Sequence, residues 1–404
     1  MGYPIIEHRV ETDRFGPFVF QIGCDASEIT LALQRVQDAH DRFVVSPLSQ
    51  VANRLEKEVV VSSVFGTNTI EGGTLSEDET ATALSLDPSK TQEIEQRRAL
   101  NIKAAYDLSQ QSARTPGWSL TQEFIVELHR LITMDIPHAD NHPGLIRDNP
   151  KGRITYVGDA AHGGRYKPPQ YGGDIRRLLE ALTIWHRQLE SAGIPALVRA
   201  PLVHLYFEQI HPFWDGNGRV GRVVEATILQ AAGHRYAPFA LARYYLSNID
   251  AYFTLFNTCR KDAAKGIGSA NLAFVGFHLE GMRLTINALH DRVNRLVAML
   301  LYESNIRRSL DSKQINVRQY TILSQLLDRG NPLTLDEMRI APWYASLYLK
   351  RNDKTRHRDL QRLREIELLY LDTGNRLWPG FIQPENIKPV GKKRSLLTTA
   401  NNEG

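Results

Sequence analysis

The sequence predicts a mainly α fold, in which a helical core carries one β-hairpin and a smaller C-terminal region ends in a second hairpin. Apolar residues recur at helical spacing up to about residue 310 of the 404. A stretch rich in Gly, Pro and Asp interrupts this pattern at 142–170, and the pattern changes again from about Asn316. Hydrophobic residues make up 42% of the chain and charged residues 23%, which is the balance of a folded globular protein.

The composition also excludes several classes of protein. Only two cysteines are present, Cys24 and Cys259, so we expect no disulfide framework and a reducing, cytoplasmic location. The first residues contain no basic segment followed by an apolar run, and position 6 after Gly2 is not Ser or Thr. Neither a secretory signal nor myristoylation is therefore expected. No run approaches ~20 uninterrupted apolar residues, so we expect no membrane span.

The helical pattern divides the first three quarters of the chain. Helices are predicted at 27–43, 47–70, 76–85, 91–112, 120–135, 172–192, 197–210, 217–232, 246–262 and 268–309. Between them, 154–157 and 165–167 are expected to be the two strands of a hairpin with a glycine-containing turn. The predicted domains are an N-terminal helical region at 1–110, a core at 111–265, a connecting helix at 266–312, a C-terminal domain at 313–382 and a flexible tail at 383–404.

The C-terminal domain is predicted to be a winged helix. Amphipathic helices at 317–328, 334–338 and 354–368 precede an alternating segment at 370–378 that is typical of a hairpin. Residues 301–404 hold 18 Lys and Arg against 12 Asp and Glu, a net charge of +6. Five of the basic residues crowd the third helix: Lys354, Arg356, Arg358, Arg362 and Arg364. Docking of DNA or of a protein through this domain is therefore left open.

Residues 211–222 carry the chemistry. Their sequence is His-Pro-Phe-Trp-Asp-Gly-Asn-Gly-Arg-Val-Gly-Arg, and it follows an apolar helix that Pro212 ends. The glycines permit a tight turn before a new helix, whose N-terminal N–H groups and dipole favour phosphate oxygens. His211 can act as a general base on a hydroxyl, and Asp215 is a hard oxygen ligand suited to Mg²⁺. The two arginines at the end of the segment can pair with phosphates. Together these groups predict nucleotidyl transfer.

Two other interpretations of the same residues are weaker. Residues 216–221 also spell Gly-x-Gly-x-x-Gly, but the dinucleotide fingerprint requires a preceding strand, and here a helix precedes. Glu208 and His211 have the spacing of half a di-iron site, yet the chain contains no second Glu-x-x-His. His204, one turn before Glu208, is expected to be a structural, hydrogen-bonded histidine.

The twelve residues resemble the signature of the Fic family, His-x-Phe-x-(Asp/Glu)-Gly-Asn-Gly-Arg-x-x-Arg, in every position. The resemblance covers roughly residues 45–265 and implies a helical Fic core that transfers AMP from MgATP to a Tyr, Ser or Thr hydroxyl of a target protein. It implies that His211 deprotonates the hydroxyl and that Asp215 holds Mg²⁺. It further implies that the backbone of Gly216, Asn217 and Gly218 holds the α-phosphate, while Arg219 and Arg222 contact the β- and γ-phosphates.

The resemblance also extends to segments outside the motif. Residues 144–147 and 154–169 resemble the flap of the family, which aligns the target segment by strand pairing and here includes Tyr156 and Val157. Asn248 and Tyr252 resemble positions that line the adenine pocket. Each of these residues also has an ordinary alternative, because half-buried strand residues and core aromatics occur at the same spacing.

A second family element lies near the N-terminus. Residues 67–72, Thr-Asn-Thr-Ile-Glu-Gly, resemble the inhibitory motif (Ser/Thr)-x-x-x-Glu-(Gly/Asn) of the family. Thr67 and Glu71 lie four residues apart and therefore share one helix face, and Gly72 ends the helix. The resemblance implies that Glu71 pairs with Arg222 and removes it from the γ-phosphate. Alternatively, Glu71 is an ordinary solvent-exposed carboxylate at the end of a helix.

The sequence is also compatible with two other functions. The same site could remove AMP from a protein, with Glu71 orienting a water molecule, or the core could sense a nucleotide for a DNA-binding regulator. The sequence does not identify the target protein, its modified residue or the direction of the reaction. The choice of ATP rests on the resemblance, and a homodimer through helical surfaces is left open.

Overall fold

The computed structural model of the chain describes residues 6–47, 51–137 and 141–389. Within these ranges the helices are α1 (Ala26–Val44), α2 (Ala52–Ile70), α3 (Glu77–Ala83), α4 (Ile94–Ala113), α5 (Gln122–Thr133), α6 (Gly172–Ser191), α7 (Ala196–Ile210), α8 (Asn217–Ala231), α9 (Ala237–Ser247), α10 (Ile249–Ala264), α11 (Leu272–Asp311), α12 (Val317–Arg329), α13 (Leu335–Ile340), α14 (Pro342–Leu347) and α15 (Asp353–Glu365). The strands are β1 (His8–Glu11), β2 (Pro17–Phe20), β3 (Leu333–Thr334), β4 (Leu369–Leu371) and β5 (Arg376–Pro379). The contacts divide the chain into two units between Arg292 and Val293, inside α11.

The centre of the first unit is the pair of helices that flank the motif, α7 and α8. They pack against each other, with α6 against α7 and α4 against α8. Nearly every residue of α7 is buried, including Pro201, His204 and Tyr206. A helix whose whole circumference is covered has no need of a polar face, which explains why α7 is apolar all round. This central position fixes the ends of both helices, where the motif lies.

An N-terminal hairpin that the sequence did not reveal completes the first unit. Strands β1 and β2 pair antiparallel, with His8 opposite Phe20. Phe20 is fully buried and its ring lies 5.6 Å from that of Trp185 on α6. The turn between the strands is held by Asp174, whose carboxylate accepts hydrogen bonds from the backbone N–H groups of residues 13, 14 and 15. Two strands of four residues are too short for a clear alternation, so their pattern gave no signal.

The predicted helix bounds agree with the structure in most places and fail in two. The helix predicted at 47–70 begins at Ala52, and residues 48–50 lie outside the described residues. The helix predicted at 246–262 is in fact α10, and α9 directly before it was missed. Only Asn248 separates the two helices, so the apolar pattern of α9 ran into that of its neighbour.

The structure corrects the predicted hairpin at 154–167, because the two arms do not form paired strands. The chain does turn back on itself, but among the described residues Val157 and Tyr166 form a single isolated antiparallel bridge. Gly158, Gly163 and Gly164 adopt positive φ angles within the predicted glycine-containing turn. The tip of the segment bonds instead to α10, where the side chain of Asn257 donates to the carbonyl groups of His162 and Gly164. Contacts with a helix therefore replace the expected strand ladder.

The second unit contains the predicted helices and hairpin, with additions. Helix α14 lies between the second and third predicted helices, and β3 joins the hairpin to give a three-stranded sheet in the order β3-β5-β4. Its core includes Leu323, Tyr348, Leu363 and Leu377. The winged-helix assignment stays a prediction that this order of elements supports. The finer domain bounds also stay predictions.

The structure corrects the prediction of a flexible tail for its first residues, 383–389. Ile387 forms an antiparallel bridge with Asp372, and the backbone N–H of Lys388 donates to the carbonyl of Leu371. Residues 383–389 therefore reach the sheet, while the remainder of the predicted tail, 390–404, lies outside the described residues.

The basic helix α15 carries less free charge than its composition suggested. Arg356 forms an ion pair with Asp353, and Arg364 donates to the carbonyl group of Lys388. Asp359 is buried on the same helix and pairs with Arg318. The exposed cations that remain are Lys354, Arg358 and Arg362. In the described part of the chain, none of the helices is long and apolar enough to cross a membrane.

His186 should make the stability of the first unit depend on pH. It is buried on α6, its Nε2 accepts a hydrogen bond from Arg199 (3.0 Å), and burial together with Arg199 lowers its pKa to about 3. Below pH ~6.5 the unfolded chain binds a proton here that the folded chain does not, so the free energy of unfolding falls with falling pH. The slope contributed is about 1.4 kcal/mol per pH unit. Urea unfolding of His186→Gln between pH 4 and 6 should show a shallower pH dependence than the wild type.

The control for this prediction is His162→Gln. His162 donates hydrogen bonds to the carboxylates of Asp159 and Asp250, which raises its pKa, so its contribution to stability is present at low pH and is lost as the pH rises. Its removal should not flatten the acid limb. An identical slope in His186→Gln and the wild type would contradict the assignment.

Candidate active site

The motif forms a tight connection between α7 and α8. Helix α7 ends at Ile210, and His211 follows with a left-handed backbone (φ 51°), which is uncommon outside glycine. Gly216 has φ 81° and caps α8. The side chain of Asn217 closes the loop, because it accepts from the backbone N–H of Phe213 (2.9 Å) and donates to the carbonyl of the same residue (2.8 Å). The loop is thus fixed from within by a buried amide.

Arg147 holds the loop from outside. This fully buried arginine donates to the carbonyl oxygen of His211 from Nε (3.2 Å) and Nη2 (2.9 Å), and to that of Pro169. Its own backbone N–H donates to the carbonyl of Pro212. Burial lowers the pKa of Arg147 to about 10, so it stays charged at neutral pH. A residue in a strained conformation persists only where neighbours hold it, and Arg147 supplies that restraint to His211.

His129 on α5 supports the opposite side of the loop. Its ring is stacked on Phe213 at 3.7 Å with an interplanar angle of 1°. The backbone N–H of Gly144 donates to Nδ1, so the proton lies on Nε2, which donates to the carbonyl of Asp215 (3.1 Å). Burial lowers the pKa of His129 to about 4, so the ring is neutral at pH 7. A neutral histidine therefore positions the residue that the sequence suggested as a metal ligand.

A cavity of about 290 Å³ opens beside the loop. It brings together predicted residues from four parts of the chain. The residues that line it are Glu71, Val157, Gly158, Asp159, His162, Tyr166, Glu208, His211, Gly218, Arg222, Tyr252, Phe253, Phe256 and Asn257. Nδ1 of His211 lies 3.6 Å from a carboxylate oxygen of Glu208, on the last turn of α7. Glu208 is thus a site residue, although the sequence suggested it only as an unsupported metal ligand.

Arg222 lines the cavity and donates to three acceptors. Its Nη2 donates to Glu71 (2.7 Å) and to the carbonyl of Thr67 (3.2 Å), and its Nη1 donates to the hydroxyl of Tyr252 (3.4 Å). The side chain of Arg222 is 2% exposed. Burial alone would lower its pKa, but Tyr252 and Glu71 raise it above the usual value. The guanidinium is therefore charged and held between two elements.

Glu71 lies directly over the glycine loop. It follows the last residue of α2, and a Cβ atom added to Gly218 would come within 2.2 Å of its carboxylate. Only glycine at position 218 permits this approach. Thr67, one turn earlier, is buried and its hydroxyl bonds to that of Tyr106 (2.9 Å). Gly72 has φ 82° and ends the helix as expected.

Asp215 and Arg219 pair with each other and do not line the cavity. Oδ2 of Asp215 and Nη2 of Arg219 are 2.8 Å apart, and Asp215 keeps 42% of its side chain exposed. No group of three or more His, Cys, Asp and Glu residues suited to a metal occurs in the described part of the chain. Mg²⁺ that is shared with substrate phosphates needs only one or two carboxylates, so Asp215 fits such an ion.

The remaining predicted site residues differ in outcome. Val157 lines the cavity, and Tyr156 points outward with 49% exposure. Tyr252 lines the cavity but is almost fully buried, and its hydroxyl faces Arg222. Asn248 does not line this cavity, and its role in an adenine pocket stays a prediction. Its side chain is exposed between α9 and α10 and donates to the carbonyl of Tyr244.

Comparison with known proteins agrees with this geometry. Residues 119–229 match the sequence model of the Fic/DOC family, so the chain contains a Fic domain. Curated relatives called protein adenylyltransferase Fic include one from Drosophila ananassae, 27% identical over 214 residues, which is 52% of this chain and 39% of that protein. Another, from Aedes aegypti, is 25% identical over 217 residues, 53% of this chain and 40% of that protein. The chain therefore spans about two fifths of the length of these relatives.

Solved structures show the same fold. A Fic-domain-containing signalling protein from Bacteroides thetaiotaomicron superposes with a TM-score of 0.54 at 20% identity, covering 64% of this chain and 97% of that one. A Fic family protein from Desulfovibrio desulfuricans gives a TM-score of 0.52 at 17% identity, covering 91% and 97%. The predicted mainly helical Fic fold is confirmed.

Asn217 offers a test of the internal closure of the loop. In Asn217→Asp the acceptor for the N–H of Phe213 remains, but the donor is replaced by a carboxylate oxygen that faces the carbonyl of Phe213. A buried acceptor without a donor costs about 1–3 kcal/mol, so the free energy of unfolding should fall by about that amount. Urea unfolding measures it, with Asn53→Asp on the exposed face of α2 as the matched control. Equal losses in both variants would contradict the role of Asn217.

Proposed function

We propose that this protein transfers AMP from MgATP to a Tyr, Ser or Thr hydroxyl of a target protein, and that Glu71 restrains the reaction. The observation that carries the proposal is the ion pair of Glu71 with Arg222 in the cavity that His211 lines, over the glycine loop. The curated relatives are called adenylyltransferases, which supports the choice of reaction. In this proposal the glycine loop and the start of α8 bind phosphates, as helix N-termini commonly do.

The chemistry assigns the base to His211. One ring nitrogen takes the proton of the target hydroxyl as its oxygen attacks the α-phosphorus of ATP. The new P–O bond forms as the bond from the α-phosphorus to the β-phosphate bridging oxygen breaks, and pyrophosphate leaves with the electron pair. Glu208, 3.6 Å from Nδ1, stabilises the imidazolium that this step creates. Arg147 contributes by fixing the backbone of His211.

Phosphate charge is assigned to the arginines and the loop. The backbone of residues 216–218 holds the α-phosphate, and Arg219 and Arg222 contact the β- and γ-phosphates. Asp215 would hold Mg²⁺, which neutralises phosphate charge when it is bound. Oδ2 of Asp215 now accepts from Arg219, so Arg219 would also orient the carboxylate.

Inhibition follows from competition for one cation. While Arg222 donates to Glu71, its Nη2 is not available to a phosphate oxygen. The carboxylate also lies over Gly218, where its negative charge repels an incoming phosphate. Both effects disappear when Glu71 is removed or moves away. We infer that the conformation described here is the restrained one.

The target segment is proposed to bind along the flap at 154–167. Val157 borders the catalytic cavity, and the exposed ring of Tyr156 extends the surface away from it. The backbone bridge between Val157 and Tyr166 keeps the two arms of the flap together. An extended peptide that lies against this segment would bring its hydroxyl toward His211.

Label transfer from α-labelled ATP with Mg²⁺ tests the proposal. Charged hydrogen bonds contribute about 1.5–3 kcal/mol, and ~1.4 kcal/mol corresponds to a factor of ten. Glu71→Gly should therefore label itself or added proteins about 10- to 100-fold faster than the wild type. Adding His211→Ala to this variant should reduce the rate by about 10²–10⁴, because the base is lost.

The matched control is Glu190→Gly. Glu190 also lies at the C-terminal end of a helix and also pairs with a buried arginine, Arg199, at 2.8 Å, but it lies outside the cavity. It should leave label transfer at the wild-type level. If no variant transfers label although ATP binds, transfer is the wrong direction. Release of AMP from an AMP-modified protein would then favour AMP removal by the same site.

Asp215 tests the proposed use of Mg²⁺. In the Glu71→Gly background, Asp215→Asn removes the negative oxygen but keeps a side chain of the same size, so half-maximal transfer should require a higher Mg²⁺ concentration. Asp159→Asn, at the flap edge of the cavity, is the control and should leave the Mg²⁺ dependence unchanged. The same Mg²⁺ dependence in Asp215→Asn and its parent would refute this assignment.

A further inference from the structure

We infer that Tyr252, His204 and Glu225 act as positioning residues that hold Arg222 in place for the nucleotide phosphates when Glu71 withdraws. The inference rests on the proposed function, because it assigns Arg222 to the phosphates. It changes the interpretation of Tyr252, which the sequence suggested as a wall of the adenine pocket. It also gives His204 more than the structural role that the sequence suggested.

The hydrogen bonds run in one direction from Arg222 inward. Nη1 of Arg222 donates to the hydroxyl oxygen of Tyr252. The hydroxyl proton of Tyr252 cannot go to a guanidinium, which has no acceptor, so it points to Nε2 of His204, 3.1 Å away. The proton of His204 must then lie on Nδ1, which donates to Glu225 at 2.9 Å. Each donor therefore has its acceptor.

The series of hydrogen bonds ends at the buried carboxylate of Glu225. Glu225 on α8 is 1% exposed and also accepts from the hydroxyl of Tyr245 and lies 2.8 Å from Nδ1 of His278. Burial alone would raise the pKa of Glu225, but His204 and His278 lower it well below its usual range. A carboxylate that stays ionised strengthens the hydrogen bonds that lead to it.

Tyr252 differs from the other hydrogen-bond partners of Arg222 because it lies outside the inhibitory segment. In the described part of the chain, the acceptors of its side chain are Glu71, the carbonyl of Thr67 and the hydroxyl of Tyr252. Both Glu71 and Thr67 belong to the inhibitory segment around the end of α2. Displacement of this segment would remove both of them. Tyr252, on α10, is the partner that does not depend on it.

Packing keeps this partner rigid. The ring of Tyr252 is stacked on that of Tyr245 at 4.6 Å with an interplanar angle of 11°. A Cβ atom added to Gly221 would come within 2.7 Å of the ring of His204, so α8 and α7 approach closely at this point. His204 itself is fully buried. A side chain that is fixed before the nucleotide arrives loses less entropy when the phosphates bind.

The experiment measures the affinities of Mg-ATP and of AMP for the full chain in the Glu71→Gly background. AMP lacks the β- and γ-phosphates that Arg222 is proposed to contact. Tyr252→Phe removes one hydroxyl and keeps the ring, so it should weaken ATP binding about tenfold and leave AMP binding unchanged. Tyr206→Phe is the matched control, because Tyr206 is equally buried but its hydroxyl bonds to Gln21 and Asn271. It should change neither affinity.

A double-mutant cycle with Arg222→Ala separates a role through Arg222 from a direct one. Tyr252→Phe should have no further effect once Arg222 is absent. Equal weakening of ATP and AMP by Tyr252→Phe, or an undiminished effect of Tyr252→Phe on ATP in Arg222→Ala, would overturn the inference. If Arg222→Ala alone leaves the affinity for ATP unchanged, Arg222 does not bind the phosphates and this part of the proposed function is wrong. The single variant shows this result without the rest of the cycle.

Glu225→Gln tests the buried end of this series of hydrogen bonds, because it keeps the shape of the side chain and removes its charge. It should weaken ATP binding by a smaller factor, and this effect should vanish in Tyr252→Phe. Thermal unfolding identifies a variant that does not fold, and in that case the Tyr252 cycle decides. An effect of Glu225→Gln that persists without the Tyr252 hydroxyl would contradict the connection between the two residues.

Discussion

The ion pair of Glu71 and Arg222 is the interaction on which the account of this site depends. It joins the end of α2 to the start of α8, although the two residues are 151 positions apart. Because Arg222 is 2% exposed, its charge has to be balanced by groups of the protein when no anion is bound. The chain supplies that balance twice, directly by Glu71 and through Tyr252 and His204 by Glu225. In the proposed function Glu71 is the partner that is released, while Tyr252 stays bound to the same cation.

The loop between α7 and α8 gives this ion pair its chemical setting. Asn217 closes the loop from within, while Arg147 and His129 hold it from outside. These groups fix the unusual backbone of His211, so that its ring and Arg222 line the same small cavity. Sites of charge transfer depend on groups that are positioned before the substrate arrives, and here that order comes from buried polar side chains.

The sequence predicted the part of this arrangement that is local. The twelve residues at 211–222 are contiguous, so spacing alone indicated the helix, the glycine loop and the new helix. The sequence placed Arg147 only in the flap-like segment 144–147 and gave no signal for His129, because both side chains acquire their roles only when the flap and α5 pack on the loop. Helix α9 was missed because its apolar pattern runs into that of α10, and the hairpin of β1 and β2 because its strands are too short for a clear alternation. The flap forms the predicted turn, but hydrogen bonds to α10 replace the predicted strand pairing. The sequence did not indicate these bonds, because Asn257 is far from the flap in sequence.

The affinity for Mg-ATP of the wild type and of Glu71→Gln tests the central claim most directly. Glutamine keeps the size of the side chain and can still accept a hydrogen bond, but it removes the negative charge that neutralises Arg222 and repels phosphate. The account predicts tighter binding of Mg-ATP by Glu71→Gln than by the wild type, with the difference lost when Arg222 is replaced by alanine. Equal affinities of the two proteins would show that Arg222 and Glu71 do not compete with the nucleotide, and would contradict the account.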